Sequence, residues 1–224
     1  MSLILSIETA TPACSVALHQ AGNLVALAEL HTENAHSEQL IILIEQIIQR
    51  SKYTLQHIDA IAVSKGPGSY TGLRIGVATA KGLCFALDKP LIAINTLEAM
   101  TEQVRSIQTQ KMLFCPMIDA RRMEVYCLLA DENGKIIVPT EAKIIEKNAF
   151  EDFLNQHKIV FFGNGAEKCK GIISSENAIF FAGVSCSAKS MGQLAYQKFL
   201  DKDFEELIYF EPFYLKDFVS NTKK

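Results

Sequence analysis

Two carboxylates stand where phosphate chemistry would want them. Glu8 closes the apolar run Leu3–Ile7, and Asp119 closes the run Met112–Ile118. Each is followed further along by a Gly-x-Gly turn, Gly66-x-Gly68 after Ile58–Val63 and Gly163-x-Gly165 after Ile159–Phe162. Such an acid pair can hold a divalent metal, while glycine turns bring backbone N–H groups up to phosphate oxygens. The first turn is the richer one. Gly66 and Gly68 permit backbone angles closed to other residues, Pro67 stiffens the bend, and Ser69 or Thr71 can cap a following helix whose free N–H groups attract anions. No Gly-Lys-Ser/Thr closes it, so it is not a Walker A loop, and a plain strand-to-helix turn has the same spacing.

Other candidates are thinner. His31 and His36 are five apart, not the four that places two ligands on one helix face, and Glu33 and Glu38 do not complete a set, so no metal site is expected. His19, His57 and His157 are isolated in turn-like contexts and are expected to be exposed. Arg121 and Arg122 could receive a phosphate or a carboxylate, or simply sit on a turn. The six cysteines form no C-x-x-C pair and read as buried free thiols. No G-x-S-x-G elbow offers a hydrolase nucleophile.

A chain of 224 residues, 49% hydrophobic and 21% charged, fits a globular protein of one domain or two small ones. Its formal net charge of −3 argues against broad non-specific attraction to nucleic acid. No apolar stretch is long enough to span a bilayer, and the N-terminal run, interrupted by Glu8 and Pro12, reads as a strand and not a signal peptide. A cytoplasmic location without membrane contact is expected.

The elements that must position the two acids come in a repeated order. Leu3–Ile7, Cys14–Leu18 and Leu24–Leu30 read as strands, His36–Arg50 as a helix, Ile58–Val63 as a strand and Thr71–Leu87 as a helix. The plan restarts with strands at Met112–Ile118, Met123–Ala130 and Lys135–Ile145, the last two joined by a tight turn at Asn133-Gly134. Then come a helix at Ala149–His157, a strand at Ile159–Phe162, an insertion from Ala166 to Ser187, and a helix at Lys189–Leu200. Two βββαβα halves indicate an internal duplication. The expected units are 1–105 and 106–224, linked through 90–105, with 204–218 free to pack back across the first half and Lys223 and Lys224 as a frayed tail.

Two such halves facing each other describe the α/β architecture of actin, Hsp70 and the sugar kinases, in which nucleotide lies in the cleft near first-strand carboxylates. Glu8, Asp119, Gly163 and Gly165 are therefore the candidate nucleotide contacts. Active phosphotransferases of this class tend to place glycine just after the first acid; here Thr9-Ala10-Thr11 and Ala120-Arg121-Arg122 crowd both places, so the cleft reads as degenerate and no residue is assigned a catalytic role.

Two helices carry a different signal. Leu40, Ile41, Leu43, Ile44, Ile47 and Ile48 cover an arc of about 160°, wider than the ~100° stripe a sheet-packed helix needs. In the next helix Gly72, Gly76 and Ala80 recur every four residues with Thr79 and Leu83 beside them, and each interior glycine costs about 1 kcal/mol relative to alanine. A bare face of this kind permits close backbone approach, either within the domain or from a partner. The expected partner surface is Leu40, Ile44, Ile47, Gly72, Gly76, Thr79, Ala80 and Leu83.

Taken together, Ile4-Leu5-Ser6-Ile7-Glu8-Thr9-Ala10 with Cys14–Leu18, the helix start His36-Ser37-Glu38-Gln39-Leu40, the run from Gly66 to Gly76, and Ile118-Asp119-Ala120-Arg121 with Glu124-Val125-Tyr126 resemble the TsaB family, once called YeaZ. The resemblance runs from residue 3 to about residue 126 and continues more loosely to Tyr214-Leu215-Lys216, where relatives often carry arginine at the last position. It implies a non-catalytic relative of TsaD, the subunit that transfers threonylcarbamoyl to adenosine 37 of tRNAs reading codons that begin with A. It also implies docking on TsaD through the N-terminal half, with the ATPase TsaE joining the pair, ATP and Mg used by the assembled complex, tRNA met through that complex, and self-pairing through the same face when TsaD is absent. No cofactor is expected on this chain. The paired-histidine metal motif of TsaD has no counterpart here, and Glu8 replaces an aspartate frequent in relatives. The rival expectations are a small ATP-dependent kinase of the same architecture and a protease acting on TsaD.

Overall fold

Leu3–Glu8 is buried along its whole length, Leu3, Leu5 and Ile7 entering one apolar cluster and Ile4 another. A strand apolar on both faces must lie inside a sheet covered on both sides. In the computed structural model, which describes residues 2–32, 36–108 and 111–216, this strand β1 is the centre of a five-stranded sheet. Its companions are β2 (Cys14–Gln20), β3 (Asn23–Leu30), β4 (Ala60–Gly66) and β5 (Leu91–Asn95), in the order β3-β2-β1-β4-β5. The β1–β2 and β2–β3 pairs are antiparallel, and β1–β4 and β4–β5 are parallel.

The second half repeats this plan. β6 (Leu113–Asp119), β7 (Glu124–Ala130), β8 (Ile136–Ile144), β9 (Ile159–Phe162) and β10 (Ala178–Phe181) run in the order β10-β9-β6-β7-β8, with the same pattern of parallel and antiparallel pairs. The sequence reading missed a strand in each half, β5 in the link and β10 inside the insertion. Both are parallel edge strands of four or five residues, too short to show a period, and only pairing with β4 or β9 makes them strands. Ala149–His157 forms only one helical turn, α4 (Glu151–Leu154) in the numbering below. Phe150 at φ 65° breaks its start and lays its ring 5.3 Å from that of Phe161.

Helices α1 (His36–Arg50) and α2 (Tyr70–Leu87) cover one face of the first sheet. Ser69 caps α2, its side chain accepting from the Gly72 N–H. Helix α3 (Thr96–Arg105) carries Leu97, Met100 and Val104 against Phe114, Leu128 and Phe162 of the second sheet. The last helix, α5 (Gly192–Asp201), preceded by a 3-10 turn at Ala188–Met191, returns to the first sheet, where Ala188, Met191 and Ala195 meet Ile4, Ala17, Ala60 and Ile92. Each sheet is thus sealed on one face by a helix from beyond its own strands. The stretch 204–216 also returns to the first half: Glu205 bridges to Leu91, and Lys81 Nζ donates to the carbonyls of Ile208 and Phe210. Residues 217–218, Glu33, Lys223 and Lys224 lie outside the described residues. All six cysteines are buried free thiols, and no described helix is long and apolar enough to cross a membrane.

His57 and His157 are exposed, but His19 is fully buried, which corrects the expectation of an exposed turn residue. Its Nδ1 lies 3.1 Å from Ser6 Oγ and its Nε2 lies 3.2 Å from the Lys189 carbonyl oxygen. Because a carbonyl only accepts, Nε2 carries the proton and Nδ1 accepts from Ser6. His19 therefore fastens the segment before α5 to the first sheet. Replacing it by leucine leaves a buried hydroxyl and a carbonyl without partners, and His19→Leu should cost about 2–4 kcal/mol in denaturant unfolding. Limited proteolysis should then cut first between residues 182 and 192; an unchanged cleavage pattern would argue against the fastening role.

Candidate functional site

A cleft of about 540 Å³ opens between the halves. The first half supplies the β1–β2 turn at Ala10–Pro12 and the start of α2, and the second supplies the β6–β7 hairpin, Tyr126 and Asn164. Residues 213–216 close one side: the Phe213 N–H donates to the Lys65 carbonyl at 2.7 Å, Tyr214 lies against Tyr70 with ring centroids 4.8 Å apart, and Lys216 pairs with Glu124. This strap spans both halves.

The two acids do not form a pair. Glu8 is fully buried and does not line the cleft. Its Oε1 accepts from the Ala10 N–H at 2.6 Å and from the Ser64 hydroxyl at 2.8 Å, while Oε2 has no hydrogen-bond partner. Burial pushes its carboxyl up to about 7 against those hydrogen bonds, which act to lower it. Asp119 by contrast is exposed at the cleft, where Oδ1 accepts from Lys168 Nζ at 2.5 Å and from the Arg121 N–H at 2.7 Å. Lys168 also donates to the carbonyls of Arg122 and Glu124, both at 2.7 Å, so Asp119 belongs to a bracket holding the hairpin tip. Glu8 and Asp119 thus stand in unlike environments, one buried and one exposed.

On their Cβ sides the glycine turns pack against the chain's own backbone, while Gly68 of the first turn and Asn164 of the second line the cleft. A Cβ at Gly68 would fall on the Ala10 carbonyl oxygen, whose lone pair already takes the Ser69 N–H at 2.7 Å. In the second half a Cβ at Gly163 would collide with the Met117 carbonyl, and one at Gly165 would lie 2.9 Å from the carbonyl carbon of Ile118. These glycines allow β-strand ends and turns to touch, and neither Gly163 nor Gly165 lines the cleft. Of the four residues expected to contact nucleotide, Glu8, Asp119, Gly163 and Gly165, only Asp119 lines the cleft.

The expected partner surface is corrected for the same kind of reason. Leu40, Ile44 and Ile47 are buried in the core of the first half, as are Gly72, Gly76 and Ala80. The face at Gly72 and Gly76 meets Thr9, whose Oγ1 donates to the Gly72 carbonyl at 2.8 Å. Thr79 and Leu83 are half-buried, Leu83 against the same core. What remains outside is the opposite side of each helix. On α2 this is Ala78, Gly82 and Phe85, with Phe85 84% exposed and nothing within 4 Å of a Cβ at Gly82; on α1 it is Ile41 and Ile42. Helical spacing identified the small-residue face but could not tell which side met the strand.

Comparison with known proteins gives the family context. The family model described as TsaD, tRNA N6-adenosine threonylcarbamoyltransferase, matches residues 30–221. The tRNA threonylcarbamoyladenosine biosynthesis protein TsaB of Escherichia coli is 40% identical over 134 residues, 58% of this chain and 57% of that protein. The protein of the same name from Buchnera aphidicola subsp. Baizongia pistaciae is 30% identical over 174 residues, 75% and 77% of the two chains. Against the first curated relatives, including that of Haemophilus influenzae at 51%, the chain spans little more than half their length. A Pseudomonas aeruginosa structure with similarity to peptidase YeaZ superposes with a TM-score of 0.85 at 25% identity, covering 96% of this chain and 100% of that one. The Clostridium difficile activator of 2-hydroxyisocaproyl-CoA dehydratase, with bound ADPNP, shares the fold at a TM-score of 0.52 and 10% identity, covering 92% and 98%.

Glu8 makes the fold pH-sensitive in a direction that can be measured. With its folded value above the ordinary 4.5, the native state holds the proton more tightly than the unfolded chain, so stability falls as pH rises from 4.5 to about 7. The full effect is about 3 kcal/mol. His19, held neutral by burial, works the other way at the acid end, so the comparison must be against Glu8→Gln. The variant should match the parent near pH 4.5 and exceed it by about that amount above pH 7 in urea unfolding; parallel curves would place Glu8 in contact with water.

Proposed function

The chain belongs to the TsaB family, and from that membership we propose that it is a non-catalytic subunit acting with a TsaD-type transferase to form threonylcarbamoyladenosine at position 37 of tRNAs that read codons beginning with A. The observation that carries this reading is the burial of the first-strand acid away from the cleft, paired with an open helix face. Glu8 is fully buried, and Glu8, Gly163 and Gly165 all lie outside the cleft lining. The outer side of α2 meanwhile presents Ala78, Gly82 and Phe85 to solvent, and α1 presents Ile41. Small residues around one large exposed aromatic ring suit the close approach of a partner helix, with Phe85 as the anchor.

In this reading TsaD docks on the outer α1–α2 face, TsaE joins the pair, and ATP with Mg is used by the assembled complex, which is cytoplasmic. Without TsaD the same face supports pairing with a second copy, an isologous contact. A kinase reading is less well supported, because Glu8 is buried and neither Gly163 nor Gly165 lines the cleft.

The test uses the full chain with Phe85→Glu, alone and combined with Ile41→Glu, in co-purification with TsaD and in a reconstituted tRNA modification assay. Because both side chains are solvent-facing, thermal stability should stay within about 0.5 kcal/mol of the parent. Association and modified tRNA should each drop at least tenfold, about 1.4 kcal/mol for the contact. Undiminished association would remove the outer face as the docking site, and modification of tRNA by this chain without TsaD would overturn the non-catalytic role.

A further inference from the structure

The β6–β7 hairpin turns through Arg121 and Arg122 with both residues at positive φ, 68° and 51°. In that left-handed region Cβ crowds the following carbonyl, and asparagine and glycine are the residues that tolerate it. Two successive arginines there go against local preference, and strain of this sort is retained where something else holds it in place. Among the described residues neither guanidinium enters an ion pair. The neighbouring Lys168 and Lys216 do, with Asp119 and Glu124. Once those two pairs are matched, the cleft keeps two uncompensated positive charges, in a chain whose formal net charge is −3.

The same cleft is lined with aromatic rings. Tyr126 is half-buried on β7, and Tyr214 is 37% exposed on the strap, stacked near Tyr70. Guanidinium groups and aromatic rings lining one cleft suit a strand of nucleotides, whose phosphates and bases need these two chemistries in alternation. A free mononucleotide is less well served. Its metal-bound phosphates would want the first-strand acid, and Glu8 is buried outside the cleft lining, whereas Arg121 and Arg122 stand on an exposed hairpin tip where a backbone can run past.

We infer that the cleft between the halves binds a single-stranded RNA segment, Arg121 and Arg122 taking phosphates and Tyr126 and Tyr214 stacking bases. This rests on the reading of the chain as a subunit of a tRNA-modifying complex, and it assigns that subunit a direct RNA contact.

The experiment is fluorescence anisotropy of a labelled ten-nucleotide single-stranded RNA with the full chain, alone and assembled with TsaD, across a salt series. The double variant Arg121→Asn/Arg122→Gly supplies the residues that the turn prefers. Its melting temperature should rise by about 2–4 °C, while RNA affinity falls at least tenfold. The log–log salt slope should become shallower by about 1.4, two single-strand phosphate contacts. Tyr214→Ala should weaken binding about tenfold with no change in salt slope. ATP in excess should leave the RNA bound. RNA binding that the double variant retains in full overturns the proposal, as does no RNA binding by the chain in either state. Displacement by ATP at matched concentration assigns the cleft to free nucleotide instead, and a lowered melting temperature removes the strain argument. Co-purification with TsaD is read in the same variants, so loss of RNA binding with association intact is distinguishable from failure of the docking reading.

Discussion

The close approach of α2 to the β1–β2 turn governs this structure more than any other contact. Gly68, Gly72 and Gly76 bring the helix against Thr9 and Ala10 with no room for a single Cβ. Two glycines inside a helix cost about 2 kcal/mol in propensity. The approach offsets this by burying the seam and allowing the bonds from Ser69 N–H to Ala10 and from Thr9 Oγ1 to Gly72. Three consequences follow from one contact. The turn after β1 is pinned, so Glu8 points into the core beneath it. The floor of the cleft becomes packed peptide. And because Gly72, Gly76 and Ala80 face inward, the residues half a turn away, Ala78, Gly82 and Phe85, must face water.

The second half carries a version of the same seam, with Gly163 and Gly165 against Met117 and Ile118, yet its acid remains outside. The difference lies in the hairpin tip. Lys168 brackets Asp119 together with two backbone carbonyls, and this holds the Arg121-Arg122 turn open toward the cleft. A duplicated sheet order has therefore produced two unlike walls, one uncharged, the other charged and projecting. The halves are also interlocked. Helix α3 seals the second sheet, α5 seals the first, and the strap from Glu205 to Lys216 touches both.

Much of this architecture was legible along the chain. The runs Leu3–Ile7, Cys14–Leu18 and Ile159–Phe162 became strands, and His36–Arg50 and the α2 segment became helices, because each has the length and apolar period of its element. The repeat of strand order exposed the duplication. Less legible is what a neighbour defines: β5 and β10 are strands only through pairing, and the path taken by 204–216 depends on the Lys65 carbonyl and Lys81. His19 escaped notice for a related reason, since its partners Ser6 and Lys189 come from distant parts of the sequence.

By itself the amino-acid order determined the two-half α/β plan, the family resemblance, and the presence of a small-residue helix face beside an unusually apolar one, because periodicity and glycine spacing are local properties. Only the tertiary structure decided which side of each helix turned inward, that Glu8 would be buried and Asp119 exposed, and that Gly163 and Gly165 would pack on strand ends outside the cleft lining. Those outcomes depend on contacts between residues tens of positions apart, such as Thr9 with Gly72 and Glu8 with Ser64. A helix apolar over a wide arc can satisfy its local pattern in more than one rotation, and the one it adopts is selected by the shape of the sheet it must cover.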